Sequence, residues 1–367
     1  MDENAKYTLA LSKAPGIGAA KLTRLMEYFK TTYAVWNAST DMVAQICGLD
    51  NAVVGRFMQY RESIDIDKEY ARFLQSEVNM VTIDDKLYPA SLRHIAKPPP
   101  ILFFRGILEQ SEPQAIAIVG SRRCTAYGRH VAEQLAAELA ESGFTIVSGL
   151  ARGIDTAAHK GALKWGRTIA VLGSGVDIVY PPENKALFRE ITNAGLLISE
   201  YPPGTPPIAA HFPARNRLIS GLACGVVVVE AAEKSGALLT VDFALEQGRD
   251  VFAVPGCITN SSSAGTNRLI QQGAKLVVSV EDILEEYGGS SNKRCKNEHT
   301  VIEMSLEQQV IMGHIEIIPT GIDQLIQKSG WEAGQIHSIL LDLEIKGLIE
   351  CLPGKRFKLT DAEGLWR

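Results

Sequence analysis

The chain has 367 residues, 46% of them hydrophobic, and a formal net charge of -5, which is enough apolar material for a substantial core and two or three domains. A negative balance excludes bulk electrostatic attraction to nucleic acid or acidic membranes, so any anion site has to be a local concentration of Lys and Arg. The most apolar stretch, GVVVVEAA, falls far short of a membrane-spanning helix. Six cysteines (Cys47, Cys124, Cys224, Cys257, Cys295, Cys351) lie without a C-x-x-C pair and no leader-like segment follows Met1, so a reduced, cytoplasmic protein is expected.

Residues 1–75 read as a helical domain. LALSKAPGIGAAKLTRLMEYF and DMVAQICGLDNAVVGRFMQYR each join two apolar-periodic runs through a Gly-containing break. APGIGAAKLTRL resembles a helix-hairpin-helix, whose turn would aim backbone N–H groups at a DNA phosphate while Lys21 and Arg24 add charge. The same short motif also serves as a protein contact, and both readings stay open. KPPPILFFRG then changes the regime, because three consecutive prolines favour extended chain.

Across a second domain, residues 76–288, short β-branched runs alternate with helical segments from 115 onward: AIAIVG, FTIVSGL, RTIAVLG, GLLISEY, VVVVEAA, DVFAVPG and AKLVVS. Seven such strands imply right-handed βαβ units and a parallel sheet covered on both faces, an α/β doubly wound fold. In HFPARNRLISGLACGVVVVE, Arg215 and Arg217 are expected on the turn just before a buried strand. Residues 289–304, Gly-, Ser- and Lys-rich, read as a linker. Residues 305–367 read as three helices followed by LIECLPGKRFKLT, a winged-helix-like order. The expected recognition helix carries Glu332, Asp342 and Glu344 against Lys346, a poor charge pattern for DNA phosphates, so protein contact is the expected use of this domain.

Ligands of open parallel sheets bind beyond the carboxyl ends of the strands. Those ends here are GSRRCTAYGRH, SGLARGID, GSGVDIVYPPEN, EYPPGTPP, EAAEKSGALLT and PGCITNSSSAGTN. Arg122, Arg123, Arg129 and Arg152 gather on this edge with no carboxylate between 120 and 130, a positive rim suited to phosphate; glycine at strand ends also serves turn geometry alone. GSGVDI lacks the third glycine of a dinucleotide fingerprint, and no Walker A sequence occurs. Asp155 and His159, four apart on one helix face, have no third partner and read as structural, as does Cys124. SGALLTVD resembles the loop of lysine-decarboxylase-like nucleotide phosphoribohydrolases, keeping Gly236 and Thr240 but losing the paired glycines and placing Asp242 where a glutamate is expected; a nucleotide hydrolase on the same fold is the alternative function.

Taken in order, IVGSR, SGLARGID, AVLGSGVDIVYPPEN, LISEYPPG, FPARNRLISGL and SGALLTVDFALEQGRDVFAVPG closely resemble the DNA-processing protein A (Smf) family over about residues 80–287. The resemblance implies an extended Rossmann-like domain, with a helix-hairpin-helix or SAM-like domain before it and a winged helix after it. It also implies a protein that binds single-stranded DNA without cutting it, needs no cofactor, dimerises, and helps load the RecA recombinase on strands taken up in natural transformation. By that resemblance the strand-binding positions are Gly120, Ser121, Arg122, Gly149, Arg152, Gly153, Phe212, Arg215, Asn216, Arg217, Thr266 and Asn267, with Lys21, Arg24, Arg123 and Arg129 as additional contacts. A single strand held without sequence readout needs phosphate partners and an aromatic platform, roles that suit the arginines and Phe212; a salt bridge for Arg215 and core packing for Phe212 are the alternatives. Many relatives carry a basic residue shortly before the Phe-Pro, where this chain has Ile208, Ala209 and Ala210; that departure puts strand affinity in doubt.

Overall fold

In the computed structural model, which describes residues 3–109, 114–288, 305–315, 320–346, 348–352, 354 and 356–359, the first apolar-periodic runs fold as short helices. These are α1 (Glu3–Ser12), α2 (Ala19–Phe29), α3 (Thr32–Asn37), α4 (Thr40–Cys47), α5 (Asn51–Ser63) and α6 (Ile66–Leu74). Polar caps set where they start: Asp50 accepts from the Val53 N–H at 2.7 Å and Asp65 from the Lys68 N–H at 3.0 Å, satisfying donors that a helix leaves free. Leu9, Leu25, Val35, Val43 and Phe57 from these helices share one apolar core with Phe103, Leu172, Phe188 and Leu197 of the region that follows. Residues Met1–Asn292 accordingly form one unit and Lys293–Arg367 a second; the expected linker lies outside the described residues.

The first unit holds a nine-stranded sheet of β1 (Asn79–Thr82), β2 (Ile101–Gly106), β3 (Ala115–Val119), β4 (Thr145–Ser148), β5 (Thr168–Val171), β6 (Leu196–Ser199), β7 (Gly225–Val228), β8 (Asp250–Ala253) and β9 (Lys275–Leu276), in the order β1-β2-β6-β5-β4-β3-β7-β8-β9. All seven strands expected from the sequence are present and parallel to one another. Two more join the edge antiparallel, β2 pairing β6 with Phe104 opposite Ile198 and β1 pairing β2 with Met80 opposite Phe103. ILFF was expected to be extended, and the structure makes it a sheet strand by pairing it with a segment more than 90 residues downstream.

Helices α7 (Ala90–Arg93), α8 (Ala126–Glu141), α9 (Ile154–Trp165), α10 (Lys185–Ala194), α11 (His211–Leu222), α12 (Leu238–Glu246), α13 (Ala264–Gln271) and α14 (Glu281–Leu284) accompany the strands. Side chains alternate through the sheet: Ile116 and Ile118 pack with Leu135, Leu139 and Ala158, whereas Ala115, Ala117 and Val119 pack with Leu218, Leu222 and Val241. Burial on both faces explains why these strands read as unbroken apolar runs. Among the described residues no helix is long and apolar enough to cross a membrane.

The second unit contains α15 (Leu306–His314), β10 (Thr320–Gly321), α16 (Ile322–Ser329), α17 (Ala333–Ile345), β11 (Ile349–Leu352) and β12 (Arg356–Leu359), with sheet order β10-β12-β11. Ser305 and Gln308 close a reciprocal capping box at α15. Ile311, Leu325, Ile336, Leu340, Leu343 and Phe357 form its core, which gives the helices-then-hairpin order expected of a winged helix.

Candidate nucleic-acid interface

One segment folds differently from its sequence expectation, and the site depends on it. HFPARNRLISGL is a twelve-residue helix, α11, not a turn before a strand. Pro213 falls in its first turn, where its missing N–H costs no hydrogen bond, and Leu218, Ile219 and Leu222 face the core. At about 100° per residue, Arg215 and Arg217 are therefore directed to different sides of one helix rather than to one anion.

The Arg215 guanidinium is buried, 3% exposed. Its Nη1 donates to the Gly149 carbonyl at 2.8 Å and to the Val171 carbonyl, and its Nε donates to Asn216 Oδ1 at 3.0 Å. It thus ties the end of β5 to the loop after β4. Gly149 has to be glycine because a Cβ there would overlap this guanidinium. Burial pushes Arg215 down to about 10 and pushes the neighbouring Asp155 carboxyl up, each partly offset by the other's charge; at neutral pH Arg215 remains a cation.

Arg217 pairs with buried Glu200 and donates to the Lys97 carbonyl at 2.8 Å, outside the cleft described below. Asp155 accepts from the Ala151 N–H at 3.3 Å. His159, fully buried, accepts from the Leu150 N–H at its Nε2 (3.2 Å) and lies 2.7 Å from Thr168 Oγ1 at its Nδ1. Since the Thr168 hydroxyl donates to the Ile146 carbonyl, His159 Nδ1 carries the hydrogen. Burial pushes this imidazole down to about 3, with the Arg215 charge adding to the shift.

What remains open is a cleft of about 450 Å³ over the carboxyl ends of β3 and β4 and the start of α11, and it contains Gly120, Ser121, Arg122, Arg123, Phe212, Arg215 and Asn216. Arg122 and Arg123 are exposed, and neither makes an ion pair among the described residues. The Arg122 guanidinium lies 5.4 Å from the centre of the Phe212 ring, a cation–π distance. Phe212 is half-buried, and its other neighbours are Gly173 and the Tyr180 ring, 5.3 Å away at 37°. Next to it His211 stacks on Tyr201 at 3.8 Å. The cleft thus combines two unpaired guanidinium groups with an aromatic face, a combination that holds phosphates and bases.

The other expected positions lie off this cleft. Arg152 is exposed and pairs with Glu183 at 2.5 Å, which holds its guanidinium above the usual range. Gly153, at φ +77°, packs on the Ser121 carbonyl and so joins the 149–153 loop to the 120–123 loop. Thr266 is buried and donates to the Ser263 carbonyl, while Asn267 holds Gly256 through both of its amide atoms. Arg129 is exposed on the first turn of α8. In the N-terminal helices the Lys21 ammonium donates back to the Gly16 carbonyl at 3.0 Å and Arg24 is exposed. The cleft also contains Ser235, Gly236, Ala237, Leu239 and Thr240, which sequence reasoning left out of the site. EAAEKSGALLT was recognisable there as a strand end, but the residues it places on the cleft wall all fall in the uncharged SGALLT part, which carries no phosphate-binding signal.

A family model described as DNA recombination-mediator protein A matches residues 79–288, and one described as DprA winged helix domain matches 300–355. The chain belongs to the DNA recombination-mediator protein A family. It is 42% identical to DNA processing protein DprA of Streptococcus pneumoniae over 77% of this chain and 98% of that protein. It is 34% identical to Protein Smf of Synechocystis over 96% of this chain and 98% of that one. The X-ray structure of the Streptococcus pneumoniae protein superposes with a TM-score of 0.68 at 41% identity, covering 77% of this chain and 97% of that chain. The DNA processing protein A of Helicobacter pylori, solved in work on its single-stranded DNA binding mode, superposes at 0.52 with 32% identity, covering 57% and 95%. The sequence resemblance and the Rossmann-like fold with a winged helix are both borne out, and this member acts in DNA recombination as a mediator.

Proposed function

We propose that the protein binds single-stranded DNA without sequence preference along the β3–β4 edge, protects strands entering the cytoplasm, and passes them to the RecA recombinase. The observation that carries this reading is Arg122 over the Phe212 ring with Arg123 in the same cleft, neither in an ion pair among the described residues, where a strand supplies phosphates for the guanidiniums and a base for the ring. Arg122 and Arg123 contact the strand. Arg215, Gly149 and Gly153 set the position of the loops that carry them, and Arg217 anchors α11 from its other side. Asp155, the carboxyl among the residues that line the cleft, is 6% exposed and accepts from the Ala151 N–H, while Asp242 is exposed and not in the lining, so we read binding rather than hydrolysis as the use of this cleft. Self-association through the far edge of the sheet is part of the proposal. Leu276 and Val278, in and just after the two-residue strand β9, are exposed, as is Ile258 in the segment after β8, and an apolar edge of this kind favours pairing with a second copy.

The test is anisotropy of a labelled oligo-dT across a salt series, for wild type and Phe212→Ala. Wild type binds with a steep salt dependence from released counterions. Phe212→Ala loses about 1–3 kcal/mol of stacking, about 5- to 150-fold, with the salt slope unchanged. Absence of wild-type binding, together with release of free base from a nucleotide, would instead support a hydrolase.

A further inference from the structure

The halves of the sheet meet between β3 and β7. This is where open α/β sheets take a nucleotide, with its phosphate resting on the N-terminus of the helix after the first strand. Here that helix is α8, and its N-terminus is filled from within. Glu230, two residues beyond β7, is 2% exposed. Its Oε2 accepts from the Thr125 backbone N–H at 2.9 Å and its Oε1 from the Thr125 hydroxyl at 2.5 Å. Thr125 Oγ1 in turn accepts from the Gly128 N–H at 3.1 Å, and the Glu230 carbonyl accepts from the Ser121 N–H at 2.7 Å.

Two glycines complete the enclosure. A Cβ on Gly128 would overlap the Glu230 carboxyl, and one on Gly120 would come within 2.9 Å of the Glu230 carbonyl. The close backbone approach that a glycine-rich turn offers a phosphate is taken up by this glutamate. Glu230 also fixes both ends of the 121–125 segment, and with it the exposed Arg122 and Arg123.

We propose that Glu230 determines the specificity of the crevice: its carboxylate occupies the phosphate position at the α8 N-terminus, excluding mononucleotides and leaving phosphate recognition to the outward-facing Arg122 and Arg123. The proposal deepens the strand-binding reading and rests on it for the role of the two arginines. A nucleotide phosphate entering the crevice would meet a like charge and find the Thr125 and Gly128 N–H groups already bonded. A strand that lies across the rim need not enter it.

The experiment compares melting temperatures of the full chain as wild type, Glu230→Ala and Glu230→Gln, in inorganic phosphate, in acetate and in chloride of matched ionic strength. It also asks whether dTMP displaces oligo-dT. Wild type is expected to melt alike in all three salts and to keep oligo-dT in the presence of dTMP. Glu230→Ala is expected to melt lower and to recover part of the loss in phosphate or acetate, as an external anion fills the vacated position. Glu230→Gln, with the position still filled but uncharged, melts lower and does not respond.

Three results would overturn the proposal: a phosphate- or dTMP-dependent rise in the wild-type melting temperature that survives Arg122→Ala, indifference of Glu230→Ala to both anions, or wild-type melting by Glu230→Gln. Should Glu230→Ala fail to fold, the wild-type and Glu230→Gln measurements decide. Failure of wild type to bind oligo-dT would refute strand binding, and the anion response of Glu230→Ala would still decide whether the crevice is plugged.

Discussion

Replacing Arg215 by Met, and separately Arg122 by Ala, separates an arginine that builds the site from one that touches the strand. Methionine keeps much of the side-chain length and removes every donor. The Gly149 and Val171 carbonyls, both acceptors of Arg215, lose a buried partner at about 1–3 kcal/mol each. Asp155 also loses the cation that offsets its burial. Arg215→Met should therefore cost about 2–6 kcal/mol, lowering the melting temperature of the first unit by roughly 4–24 °C at about 2–4 °C per kcal/mol. Measured well below that melting point, the salt slope of oligo-dT binding stays at the wild-type value, because the guanidinium never reached a phosphate. Arg122→Ala does the reverse: stability moves by no more than about 0.5 kcal/mol, and the slope falls by about 0.7, the contribution of one single-strand phosphate contact. Calorimetry and anisotropy across a salt series give both numbers. If Arg215→Met melted like wild type and the slope dropped by about 0.7, Arg215 would be a phosphate ligand and the structural assignment would be refuted.

His159 makes the first unit acid-sensitive. Its folded value of about 3 lies below the unfolded 6.5, so the unfolded chain takes the proton first. The stability from this group is complete above about pH 6.5 and is lost as pH falls toward 3, by at most about 5 kcal/mol. His159→Gln should flatten the stability profile across that window, and an unchanged profile in acid titration would show that His159 does not set it. Arg217→Met leaves Glu200 buried without its partner, which should cost about 3–5 kcal/mol without changing the salt slope; a reduced slope would place Arg217 on the strand. A chain ending at Asn292, the boundary between the two units, should keep oligo-dT affinity to within about tenfold, or 1.4 kcal/mol, and a larger loss on titration would give the winged helix a share of the strand.

The sequence by itself determined the elements whose signal is local. The strands β3 to β9 are apolar runs bounded by glycine, their order with intervening helices dictates a parallel sheet, and the ends of those strands carry the arginines. The helix-break-helix units of residues 1–75 are likewise legible, because their apolar periods and Gly-containing breaks are local signals. The tertiary structure alone decided matters of long-range pairing and facing. The residues that make ILFF a strand are the Leu196–Ser199 partners, which no window of sequence around β2 contains. Arg122, Arg215 and Arg217 look alike in a sequence, yet one lies over an aromatic ring in the open, one is enclosed by backbone carbonyls, and one is paired with a buried glutamate. Reading 211–222 as a helix would have set Arg215 and Arg217 on different sides, but the adjoining GVVVV run masked the helical period. Glu230 carried no signal at all, since a glutamate at the end of an apolar strand becomes an internal anion only when α8 folds over it.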